Sequence, residues 1–190
     1  AIVQKNGKVE WLNGNMGSGR TMLYPCSVLI GENSYSESIG IAFSAKDQDQ
    51  DTGSKVIHIG KNTKSIIKAK SISKDGGISS YRGLVKIART AENAISTVEC
   101  DAMLVDDKSV SNTYPVMEVD RNDSQLIHEA KIGKIGEKEI YYLMSRGLSE
   151  EQAKQLIVAG FANDVVKRLP LEYAVELNKL IELEMEDALG

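Results

Sequence analysis

One thiol, one imidazole and one carboxylate carry the chemistry that this sequence offers: Cys100, His128 and Glu129. A thiolate, an imidazole and a carboxylate are competent ligands for iron, and a cysteine sulfur can also accept a further sulfur atom as a persulfide. Strand alternation puts Val98, Cys100, Ala102 and Leu104 on one face. It puts Leu126, His128, Ala130 and Ile132 on one face of a later segment, so thiol and imidazole both point toward apolar neighbours. The ordinary alternative is a buried core cysteine and a hydrogen-bonded core histidine, both common in folded proteins.

Other constellations fall short of their chemistry. Asp47-Gln48-Asp49-Gln50-Asp51-Thr52-Gly53 spaces its acids like a calcium loop, but Thr52 stands where an EF-hand needs glycine and His58 where it needs a bidentate glutamate. An ordinary polar loop is expected there. The cluster Gly14-Asn15-Met16-Gly17-Ser18-Gly19-Arg20 lacks the Gly-Lys-Ser/Thr of a phosphate-binding loop and reads as a glycine-rich turn between strands. Cys26 and Cys100 are too far apart for a CxxC motif, so free thiols are expected. His58 lies in Val56-Ile57-His58-Ile59 with no partner that the sequence identifies, and no GxSxG turn marks a serine nucleophile.

The elements that must position Cys100 and His128 are short and β-branched. Strand candidates cover 55–59, 65–72, 79–87, 94–105, 113–119 and 124–132, and residues 2–41 read as further strands broken by Gly and Asn, with 44–54 a polar interruption. The turn markers Asn62, Gly76, Asn93, Asp107, Asn122 and Gly136 follow one another at spacings of 14, 17, 14, 15 and 14. One strand and one turn per unit suits either a parallel β-helix or an antiparallel sandwich, and periodicity leaves both open. In a β-helix with two strands per coil, the 28 residues between Cys100 and His128 place the pair one rung apart, roughly 4.8 Å along the stack.

After Gly136 the period changes to that of helices. Ile140, Leu143 and Met144 form a first stripe ended by Gly147. Ser149 opens a second helix as a capping box with Gln152, with Ala153, Leu156, Ile157, Gly160, Phe161 and Val165 on one face. Pro170 suits the first turn of a third helix that carries Ala174, Leu177, Ile181, Met185 and Ala188.

Composition bounds the function. The formal net charge of −4 is concentrated in residues 171–190, which sum to −5, leaving +1 for the remainder. No basic stripe interleaved with aromatics suggests nucleic acid, and no apolar run approaches the roughly 18 residues of a membrane span. The first residues lack a signal-peptide pattern, which points to a soluble, cytoplasmic protein. Ala1-Ile2-Val3 offers no cap for a sheet stack, so a piece of a longer chain is expected.

Ser71-Ile72-Ser73-Lys74-Asp75-Gly76-Gly77, Tyr81-Arg82-Gly83, Glu99-Cys100-Asp101, His128-Glu129-Ala130 and Tyr142-Leu143-Met144-Ser145-Arg146-Gly147 together resemble the SufB/SufD family of iron-sulfur cluster assembly proteins. The likeness extends through 47–58 and 169–174 and covers the later half of a family member. It implies a mainly β fold: a right-handed parallel β-helix over 1–135, truncated at its N-terminal side, and a small C-terminal α-helical domain over 136–190.

It further implies a scaffold, not an enzyme, on which a nascent, transient iron-sulfur cluster is built. A SufC-type ATPase would dock on the C-terminal helices, and a SufD-like subunit or second copy on the β-helix. The SufB branch is marked by a cysteine and a His-Glu pair, carried here by Cys100, His128 and Glu129, which the resemblance makes the cluster, sulfur or metal ligands. Ile127 stands where SufB members often carry an acid. Two alternatives are a SufD-like structural subunit without its own cluster and a carbohydrate-active β-helix enzyme; aromatics at 5% count against the latter.

Overall fold

Corner residues set the architecture. Asn6, Asn33, Asn62 and Asn93 hold left-handed backbone with φ between 54° and 57°, a conformation asparagine tolerates better than most residues. They stack along one corner, where Asn33 Nδ2 donates to Asn6 Oδ1 and Asn93 Nδ2 to Asn62 Oδ1, each at 3.2 Å. Asp47 and Asp75 take the same conformation at the opposite corner.

The structure is a computed structural model that describes residues 1–186. Between the corners run two sheets whose every pairing is parallel. One holds β1 (Ile2–Val3), β3 (Arg20–Leu23), β4 (Cys26–Leu29), β6 (Asp49–His58), β8 (Ile78–Ile87) and β10 (Val110–Val119). The other holds β2 (Lys8–Asn15), β5 (Tyr35–Ser44), β7 (Lys64–Ser73), β9 (Ile95–Leu104) and β11 (Gln125–Lys134). Lys8 pairs with Tyr35, Tyr35 with Lys64, Lys64 with Ile95 and Ile95 with Gln125, so one coil takes roughly 30 residues and the sequence repeat is half a coil. The all-parallel ladder selects the β-helix over the sandwich.

Three helices follow: α1 (Glu137–Ser145), α2 (Glu150–Val166) and α3 (Leu171–Glu186). Gly147 takes φ +97° just past α1, and Ser149 and Gln152 close a capping box on α2. The helices pack on the outer face of the second sheet, where Ile39, Ile41, Phe43 and Ile72 meet Val158, Val165, Leu177 and Ile181. A separate core between the sheets contains Leu29, Val56, Ile67, Tyr81, Val85, Val98 and Cys100.

Three local expectations are corrected. The polar loop expected at 47–53 is only a corner; β6 begins at Asp49, because ladder bonds on both sides outweigh the weak β propensity of Asp, Gln and Gly. Gly53 is needed in that strand, since a Cβ there would run into the Arg82 carbonyl. On α2, Leu156 is 54% exposed while Ala153, Val158, Ala162, Val165 and Val166 are buried, because both the sheet and α3 claim the inner side of that helix. Pro170 precedes α3, its carbonyl accepting from the Ala174 N–H at 2.9 Å. Leu177, Ile181 and Met185 are buried as expected, and Ala188 lies outside the described residues.

Candidate functional site

Cys100 sits midway along β9 with its side chain between the sheets, 5% exposed. Its ladder partners are Ala69 on β7 and Ala130 on β11, two methyl side chains that leave the sulfur little crowded from either side. Burial pushes the Cys100 thiol up to about 12, with a smaller raising effect from Asp101 and an opposing one from the Tyr81 hydroxyl. In this closed arrangement Cys100 is a neutral thiol, and both Cys100 and Cys26 are free.

His128 lies on β11, half-buried, beside Val98 in the ladder. Alternation puts it on the same inward face as Cys100, one rung along the stack and two positions back along the strand. That separates their Cα atoms by roughly 8 Å. Its Nε2 is buried and has no hydrogen-bond partner. A buried ring nitrogen left unpaired costs free energy that a core histidine normally avoids.

Glu129 goes the other way. It stands on the outer face of β11, exposed, 3.3 Å from Lys131 Nζ and in register with Glu99. Cys100 and His128 are therefore brought together, and Glu129 is not brought to them on this strand. Among the described residues no group of three His, Cys, Asp or Glu side chains converges as a metal site.

His58 is a core histidine of the ordinary kind. It is fully buried, with Nδ1 2.8 Å from Thr63 Oγ1 and Nε2 2.9 Å from Ser65 Oγ. Ser65 in turn donates to Ser96 on the next rung at 2.8 Å. Burial lowers the His58 pKa to about 4, which keeps the ring neutral at pH 7.

The residue that sequence reasoning missed is Tyr81, which projects from β8 against Cys100 with its own hydroxyl unpaired. The nearest signal was Gly83, two positions on and on the same face, where a Cβ would come within 2.8 Å of the tyrosine ring and hydroxyl.

The site lies at an open end of the β-helix. Strands β10 and β11 are the last of their sheets, each paired on one side only, and β11 presents Ile127 and Ile132 at 59% and 53% exposure. Val116 and Val119 of β10 are exposed beside them. Unpaired edges with apolar side chains are templates for further association.

Comparison with known proteins gives a consistent result. The family model described as "SUF system FeS cluster assembly, SufBD core domain" matches residues 1–161. Iron-sulfur cluster assembly SufBD family proteins of Staphylococcus saprophyticus, Staphylococcus epidermidis and Staphylococcus aureus are each 50% identical over 189 residues. Each alignment takes in 100% of this chain and 41% of the relative, so the chain spans about two fifths of the length of these curated relatives.

Proposed function

The chain belongs to the SufBD family of iron-sulfur cluster assembly proteins, and from that premise we propose that it supplies one wall of a cytoplasmic scaffold on which a nascent cluster is built. In this reading Cys100 accepts sulfur or ligates the forming cluster, His128 adds a nitrogen ligand, and the chain itself catalyses no reaction. The observation that carries it is the unpaired His128 Nε2 on the same inward face as Cys100, at the open end of the sheet.

Two inward donors are too few for iron, which ordinarily takes four or more ligands. The remainder would come from a partner, a SufD-like subunit or a second copy, applied to β10 and β11. Glu129 faces outward toward that partner and joins the ligand set only across such an interface. The cluster is thus cargo assembled between chains.

The helices would receive a SufC-type ATPase. Leu171, Tyr173, Val175, Leu180 and Leu183 are exposed along α3, and an apolar groove of about 350 Å³ runs between α3 and β2, past Leu12 and Met16. Movement of that ATPase, which performs any ATP hydrolysis, would pass through the helices and open the β-helix end, exposing Cys100 and His128.

A second reading, a SufD-like structural subunit, draws on the depth of Cys100 and on the outward course of Glu129. Anaerobic reconstitution with iron and sulfide separates the two. The scaffold reading requires iron and sulfide retained by the chain together with its partners and lost in Cys100→Ser. Equal retention by both would assign Cys100 to the core.

A further inference from the structure

Tyr81 has a polar group that the fold does not use. Its ring lies between the sheets, 7% exposed, and its hydroxyl has no hydrogen-bond partner. A buried hydroxyl left unpaired costs about 1–3 kcal/mol, which a phenylalanine of the same shape would avoid. The ladder sets Tyr81 between Thr52 on β6 and Thr113 on β10, yet neither threonine bonds to it. Gly83 makes the room for the ring, and Tyr81 packs in the same inter-sheet core as Cys100, its hydroxyl acting on the thiol from the opposite sheet.

The surroundings of Cys100 sharpen the point. The inward neighbours on its own strand and on the flanking rungs are Val98, Ala102, Ala69 and Ala130, none of which has a side-chain donor. Lys68 and Lys70 are on the outer face, bound to Glu99 and Asp164. Past the ring, a cavity of about 30 Å³ is lined by Ser38, Thr52, Ser54, Ala69 and Tyr81, room enough for one water-sized atom. A hydrogen-bond donor therefore lies on the Tyr81 side of the sulfur, and the free space lies beyond the tyrosine ring and beside Ala69, the ladder neighbour of Cys100.

We propose that Tyr81 is a positioning residue for sulfur carried by Cys100, its hydroxyl donating a hydrogen bond to the outer sulfur of a Cys100 persulfide. This rests on the reading of Cys100 as the sulfur acceptor. In the loading step the Cys100 sulfur attacks the terminal sulfur of a persulfide donor, R–S–SH. The new sulfur–sulfur bond forms as the donor's breaks, and the donor departs as R–SH with the proton given up by the Cys100 thiol. Sulfur is transferred with no net oxidation, and the product is Cys100–S–SH. Tyr81 contributes by holding the added atom beside its hydroxyl.

The test uses the chain carrying Cys26→Ser, which leaves Cys100 as its one thiol. It is loaded anaerobically with inorganic polysulfide, and sulfane sulfur on Cys100 is followed by intact mass and cyanolysis. Three forms are compared: the parent, Tyr81→Phe, and the parent with 3-fluorotyrosine placed at 81, a stronger donor of the same shape. Tyr81→Phe is expected to shorten the persulfide lifetime about fivefold and fluorotyrosine to lengthen it, while alkylation of the unloaded thiol stays unchanged. Equal lifetimes in the three forms overturn the proposal. Should Tyr81→Phe lose its circular dichroism spectrum, the fluorotyrosine form decides alone: a longer lifetime supports the proposal and an unchanged one overturns it. A parent chain that takes up no sulfur on Cys100, alone and again in the presence of a SufC-type ATPase with ATP, overturns the acceptor reading itself.

Discussion

His128 sits one rung above Cys100 and two positions back along the strand, both side chains turned between the sheets and the histidine nitrogen without a partner. A histidine that held the fold together would spend that nitrogen on a hydrogen bond. His128→Leu is therefore expected to leave stability unchanged or to raise it by up to about 1 kcal/mol, by removing a buried unpaired group. Urea denaturation measures this, and a loss of 2 kcal/mol or more, on the order expected for a broken buried network, would make His128 structural.

His58 supplies the contrast, since its ring bridges Thr63 and Ser65 and burial holds its pKa near 4 against 6.5 when exposed. Between those values the unfolded chain binds a proton that the folded chain refuses. Stability is thus fully present above pH 6.5 and falls as the pH drops toward 4, by about 3 kcal/mol in all. His58→Gln should flatten that slope in urea titrations between pH 7 and 4.5. An equally steep slope in the variant would move the proton uptake to other groups.

Backbone contact separates two glycines of similar local sequence role. Gly53→Ala drives a methyl group into the Arg82 carbonyl of the neighbouring strand and should cost about 1–3 kcal/mol. Gly133→Ala meets nothing and should gain about 0.4–1 kcal/mol through the unfolded state. Thermal melts of the two variants against the parent check the pair.

The open edge is tested with charge. Ile127→Lys with Ile132→Lys places two cations on exposed positions of β11, one on each face of the strand, and should shift the stability of the isolated chain by no more than about 0.5 kcal/mol. Association with a SufD-like subunit or a second copy should be lost on size exclusion. Undiminished association would move the interface away from this strand.

Much of this fold could be read from residue types. The corner asparagines mark coil lengths, and alternation correctly paired the faces of Cys100 and His128. The stretch at 49–54 reads as a polar interruption because its acids, glutamine and glycine disfavour strands locally, whereas the ladder on either side supplies the preference. Alternation also implied that Glu129 faces away from His128, a consequence that the adjacency of the pair in sequence obscures. Tyr81 escaped because its contact with Cys100 crosses from one sheet to the other, and no period of a single strand records what lies opposite it.

The end position of β11 has a mechanical meaning. An interior strand such as β9 is hydrogen-bonded along both edges, but β11 along one, so peeling it away breaks a single ladder. The peel has a fixed direction, because Ile135 at the far end of β11 is buried among α2 and α3 while Gln125 at the near end is exposed. Fraying therefore starts beside His128 and runs toward Ala130, the residue that roofs Cys100. The helices hold the hinge of a flap whose free edge is the first thing to lift.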